Sequence, residues 1–128
     1  MHIRIYALHT TDCNFVVRRL LWNNSGDIRK AINSNCGRPF DIVIASDIVA
    51  LPYLDYIPDL LDAVSKLLAN DGVFYLAYQR RHRSEESFFE QLRARSFYLR
   101  EVSRDKIHKD FRENLAISIL MIGKISHS

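Results

Sequence analysis

The stretch "FDIVIASD" (residues 40–47) carries an almost unbroken apolar run into a serine and an acid, Ser46 and Asp47. A short continuous apolar run of this kind marks a strand covered on both faces of a parallel sheet. Ligands of open parallel sheets gather beyond the carboxyl ends of the strands, and Asp47 stands there. A carboxylate at that place can orient a hydrogen-bond donor and tolerate a positive charge beside it. The same acid could instead cap the helix that follows. Trp22, closing "LLW" (20–22), offers a flat apolar surface to a ligand ring, or equally a core aromatic that ends a strand. The basic run Arg80, Arg81, His82 and Arg83 could hold an acidic substrate or partner, or form a solvated turn between a strand and a helix. Cys13 and Cys36 form no CxxC pair and have no histidine cluster at metal spacing, so they read as two reduced thiols with no metal site.

The elements that must position these residues follow from periodicity. "NFVVRRLLW" (14–22) reads as a strand ending in the turn-rich "NNSGD", where Ser25 or Asp27 can cap a short helix over "IRKAIN". After the 40–45 strand, Ile57, Leu60, Leu61, Val64, Leu67 and Leu68 fall at helical spacing on one face. Asp55 is placed to cap that helix, Pro58 lies in its first turn, and "NDG" (70–72) stops it. "VFYLAY" (73–78) is a second buried strand, and Ser84 with Glu85 and Glu86 starts a helix carrying Phe88, Phe89 and Leu92. "SFYLREV" (96–102) and "LAISILMIG" (115–123) are separated only by charged residues, so they pair most simply as an antiparallel hairpin. The alternation of strands and helices makes this an α/β chain.

Length and charge narrow the function classes. A chain of 128 residues holds one domain with a core. Its net charge of +3 is too weak to argue for nucleic acid, and no strand face interleaves aromatic with basic residues, so nucleic acid is disfavoured as a partner. The amino-terminal "MHIRIYALHT" has no apolar run for a signal peptide or membrane span, which implies a cytoplasmic or nuclear protein without membrane attachment.

Taken in order, these motifs resemble the carboxyl-terminal part of the class I, seven-strand S-adenosylmethionine-dependent methyltransferases, and within them the branch that modifies protein lysines. "LLW" is similar to that branch's leucine–tryptophan motif after the third strand, and "FDIVIASDIV" to its fourth strand and acid. "GVFYLAYQRRHRSEESFFEQL" is similar to its fifth strand, basic run and next helix. The resemblance covers residues 14 to 123. It implies a partial Rossmann-like sheet, mostly parallel, ending in an antiparallel hairpin, and a protein-lysine methyltransferase-like function. Asp47 is implied as the catalytic position, with Trp22, Ser46 and Asp47 toward the cofactor S-adenosylmethionine. On the substrate side, Tyr53 could stand in for an aromatic of that branch if its loop bends toward the site, and Tyr78 could line the substrate channel, though it reads first as packing.

Two departures qualify these expectations. The family holds its cofactor through a first strand and a glycine-rich turn, and fixes the ribose with an acid after a second strand. In this sequence Gly26, Gly37, Gly72 and Gly123 stand singly, and about 13 residues precede the third-strand match. The first two strands of the family pattern are therefore expected to be absent, residues 1–128 to form a single incomplete domain spanning the third to seventh strands, and the chain alone to be inactive. Ala50 occupies the place of the branch's tyrosine, forgoing a cation–π contact of roughly 0.5–2 kcal/mol. The competing expectation is a non-catalytic pseudo-methyltransferase that binds a protein partner. Without family neighbours, "FVVRRLL" and one edge of "FDIVIA" must re-pair, join another chain or leave the fold unstable, so marginal stability or self-association through strand edges is expected.

Overall fold

A computed structural model describes residues 3–9, 14–48, 55–79 and 85–126. In chain order these form β1 (Ile3–His9), β2 (Asn14–Leu20), α1 (Ser25–Ser34), β3 (Phe40–Ser46), α2 (Ile57–Leu67), β4 (Leu68–Gln79), α3 (Glu85–Ala94), β5 (Phe97–Glu101) and β6 (Ile117–Lys124). The main sheet runs β3-β4-β6-β5, with β3 parallel to β4 and β6 antiparallel to both of its neighbours. This mixed sheet is the partial Rossmann-like arrangement expected from the sequence, closed by the expected β5–β6 hairpin.

The crossovers β3-α2-β4 and β4-α3-β5 both step in the same direction along the sheet. The right-handed rule for such connections therefore sets α2 and α3 on one face. Their mutual contact agrees, and α1 extends the layer by touching α2. The core lies between these helices and the sheet. Ile57, Leu60, Leu61, Val64 and Leu67 of α2 are all buried, as their spacing predicts, against Phe74 and Leu76 of β4 and Leu120 and Ile122 of β6.

β2 differs from expectation in its neighbour. It pairs antiparallel with β1 in a separate two-stranded sheet, in a register from Ile3 opposite Leu20 to His9 opposite Asn14. Re-pairing is thus the outcome for this strand, through a segment to which the sequence pattern assigned no element. β2 also stops at Leu20, short of Trp22, because the chain turns there. The Leu21 carbonyl accepts from the Asn24 N–H, and the Leu21 N–H donates to the Asp27 carboxylate at 2.9 Å.

Three local readings are corrected. Asn24, rather than Ser25 or Asp27, caps α1, its side chain accepting from the Asp27 N–H at 3.1 Å. Tyr56, rather than Asp55, holds the N-cap position of α2 and makes no side-chain cap; Pro58 does lie in the first turn. "NDG" does not end α2, which passes directly into β4 at Leu68. The helix end is instead closed by the Lys124 ammonium of β6, which donates to the Ser65 and Leu68 carbonyls at 2.8 and 2.7 Å. Asn70, Asp71 and Gly72 sit inside β4 where the pairing with β3 shifts register, from Phe40 opposite Leu68 to Ile42 opposite Val73. A Cβ at Gly72 would stand 3.0 Å from the carbonyl oxygens of Phe40 and Asp41 and 2.8 Å from a Leu68 methyl, so only glycine fits this close approach of two strands.

The sheet's second face carries Ile42 and Ile44 of β3, Val73, Tyr75 and Ala77 of β4, and Ile119 and Met121 of β6, none fully buried. β3 is the edge strand, and Ile42 and Ile44 are 62% and 75% exposed. The open edge anticipated for "FDIVIA" is present. No helix among the described residues is long and apolar enough to cross a membrane.

Candidate functional site

Four chain passages meet at the rim formed by the carboxyl ends of the parallel strands. β3 ends there in Ser46 and Asp47, and β4 ends there in Gln79. α2 starts there, since it runs back to the other end of the sheet before β4. Gln79 pairs with Ile117, so the connection from β5 to β6 emerges at the same rim.

Asp47 has φ +55°, a left-handed backbone unusual for a residue with a side chain and more tolerated by aspartate than by most. Its N–H donates to the Ala77 carbonyl at 2.9 Å, fixing the backbone while the side chain remains exposed. It does not cap α2, which begins at Ile57. Ser46, opposite Ala77 in the ladder, is also exposed. Tyr78, the neighbouring residue on β4, is buried and meets Phe89 of α3 edge-on, with ring centroids 6.0 Å apart. Tyr53, Ala50 and the run Arg80–Arg83 lie outside the described residues.

Trp22 is only 5% exposed, and its indole Nε1 is buried without a hydrogen-bond partner among the described residues. It bridges two spaces. Below it, an apolar crevice of about 30 Å³ lies between Leu20, Ala45, Ile48 and Leu60. Beside it, a cleft of about 220 Å³ is lined by Leu21, Trp22, Asn23, Tyr56 and Asp59. Sequence reasoning missed Tyr56 and Asp59. The signal was their spacing, three residues apart across the first turn of α2, which sets both on one side of the helix start.

The Leu21–Trp22 segment is fixed by Asp27. The Leu21 amide holds the Asp27 carboxyl below the usual carboxylate range, and the charges of Arg19 and Lys30 act in the same direction against partial desolvation. Arg19 Nε stands 3.5 Å from Asp27 Oδ2.

At the other side of the rim, residues 102–116 carry a short 3₁₀ turn, Arg104–Lys106, and are tied by two arginines. Arg104 donates to the Asn114 and Ile117 carbonyls at 3.2 and 2.7 Å. Arg112 donates to the carbonyls of Asp105, at 3.2 Å, and Ile107, at 3.1 Å. Ile107 is buried beneath, while Phe111 and Leu115 are presented to solvent. Among the described residues no three His, Cys, Asp or Glu side chains form a metal-holding group.

A family model described as lysine methyltransferase matches residues 4–95, nearly three quarters of the chain. The match begins in β1 and ends beside α3, ahead of the terminal hairpin. No curated protein matches the chain.

Proposed function

The chain belongs to the lysine methyltransferase family, and from that premise we propose that it supplies the substrate-facing part of a protein-lysine N-methyltransferase site. The observation that carries this reading is Asp47: an exposed acid in a strained backbone conformation, pinned by its own N–H to β4 at the strand ends. Strain of this kind persists where the surroundings fix it, and it clusters at functional sites. From there the carboxylate accepts a hydrogen bond from a lysine amine and orients it. At the same rim the 102–116 segment exposes Phe111 and Leu115, a surface suited to the polypeptide around a target lysine.

The family's cofactor is S-adenosylmethionine. The residues present do not complete a cradle for it. The Trp22 ring is buried rather than open to a purine face, and the cleft beside it, about 220 Å³, joins no glycine-rich turn. Residues 1–128 alone are accordingly expected to hold the cofactor weakly and to be inactive by themselves, as a single incomplete methyltransferase-like domain. Trp22 is the sole tryptophan, so its fluorescence reports the cleft directly. Titration with S-adenosylmethionine is expected to give no saturation up to about 1 mM. Saturable binding at micromolar concentration would overturn this account.

The substrate side is tested separately. An array of lysine-containing peptides is expected to show binding that Asp47→Ala weakens while the circular dichroism spectrum is unchanged. Equal binding by Asp47→Ala would remove Asp47 from the site. A second reading, a non-catalytic module that recognises a protein partner, is favoured by Ala50 and by the exposed Phe111 and Leu115. In that case Asp47→Ala leaves partner binding intact and Phe111→Ser removes it. Self-association belongs to either reading, since the β3 edge and the second sheet face are open.

A further inference from the structure

The segment that ends β2 and begins α1 holds a cationic cleft that the methyltransferase reading does not use. Arg18, Arg19, Asp27 and Lys30 line a space of about 350 Å³. Among the described residues of the helix–sheet body, Asp27 is the one charged residue that is buried, and its side chain is 7% exposed. One carboxylate oxygen, Oδ2, takes both contacts: the Leu21 N–H donates to it at 2.9 Å and Arg19 Nε stands 3.5 Å away. The carboxylate therefore works as an internal prop: it anchors one edge of the Arg19 guanidinium while 60% of that side chain stays in solvent. No other described residue takes a hydrogen bond from the outer nitrogens of Arg19.

We propose that this cleft binds a phosphate group, either as the free dianion or carried on a serine side chain. A guanidinium with one edge anchored presents its remaining donors as a fork, the geometry that matches tetrahedral oxyanions. Arg18 and Lys30 bring two more cations to the same space, and the lone acid there is already neutralised by Arg19. A cleft of this volume lies at the small-ligand scale, which leaves room for the group that carries the phosphate.

The test is a ¹H–¹⁵N titration of the full chain with inorganic phosphate, and with phosphoserine, each against chloride at matched ionic strength. The Leu21 amide and the Arg19 Nε–H signal are expected to shift saturably with phosphate and not with chloride. Arg19→Gln is expected to weaken the response about tenfold, Arg18→Gln and Lys30→Gln to weaken it less, and Lys66→Gln to leave it unchanged. Tighter binding of phosphoserine identifies a phosphorylated side chain as the ligand, and equal or weaker binding identifies the free anion. If Arg19→Gln fails to fold, Arg18→Gln and Lys30→Gln decide the matter alone. An equal response to chloride, or equal shifts at Lys66, would mean general charge screening and would overturn the proposal.

Discussion

The Asp47 N–H reaches the Ala77 carbonyl oxygen at 2.9 Å, so β3 remains tied to β4 one residue beyond the last ladder pair, Ser46 with Ala77. This tie holds the left-handed turn that sends the Asp47 side chain out of the sheet. Glycine adopts such a conformation without steric cost. Asp47→Gly is therefore expected to leave stability unchanged or raise it by up to about 1 kcal/mol, while peptide binding falls. Urea denaturation beside the peptide array reads both quantities. A marked loss of stability would make Asp47 a structural residue.

Asp27 sets a pH dependence. Its folded pKa lies below its ordinary value, chiefly through the Leu21 amide and then through Arg19. The unfolded chain thus binds its proton at higher pH than the folded one. The contribution is complete above the ordinary carboxylate value of about 3.9 and is lost as pH falls through the depressed folded value. Asp27→Asn is expected to lower the urea midpoint at pH 7 and to flatten the fall in stability below about pH 4. An unaltered acid limb in the variant would count against this assignment.

Lys124, on the helix-covered face of β6, closes the end of α2. Replacing it with methionine keeps the aliphatic stem and removes both hydrogen bonds to Ser65 and Leu68. Lys124→Met is expected to cost about 1–3 kcal/mol in chemical denaturation. A change within the measurement error would show that water replaces the ammonium without penalty.

The β3 edge carries Ile42 and Ile44 outward with no lysine or proline to guard it. Sedimentation velocity is expected to show concentration-dependent association, and Ile44→Lys to shift the chain toward monomer. A wild-type monomer with one sharp cooperative unfolding transition would defeat the expectation.

Much of this architecture can be read from spacing, because burial is periodic. The helical stripe from Ile57 to Leu67 and the hairpin of β5 with β6 follow from which residues must leave water. The misread features share another physics. Asn24, Ser25 and Asp27 are all competent caps within four residues, and backbone geometry at Leu21 chooses among them. The "NDG" turn signal is overridden because Lys124, distant in sequence, closes the helix, and because Gly72 is needed for a close strand approach. β1 gains its strand from β2 rather than from its own pattern. That Asp47 stands exposed at the end of β3 is legible from its place after an apolar run. The Tyr56–Asp59 cleft wall is not, since it depends on α2 beginning at Ile57.

The arginine ties across residues 102–116 bear on recognition kinetics. On the proposed reading, a polypeptide that lands on Phe111 and Leu115 meets a backbone whose freedom was surrendered when the chain folded. Only side-chain rotamers remain to be frozen, at roughly 0.5–1.5 kcal/mol each, so little of the contact energy is lost to ordering. Encounter there is a docking event without a folding step, and partners of differing sequence should be told apart by how long they stay rather than by how fast they arrive.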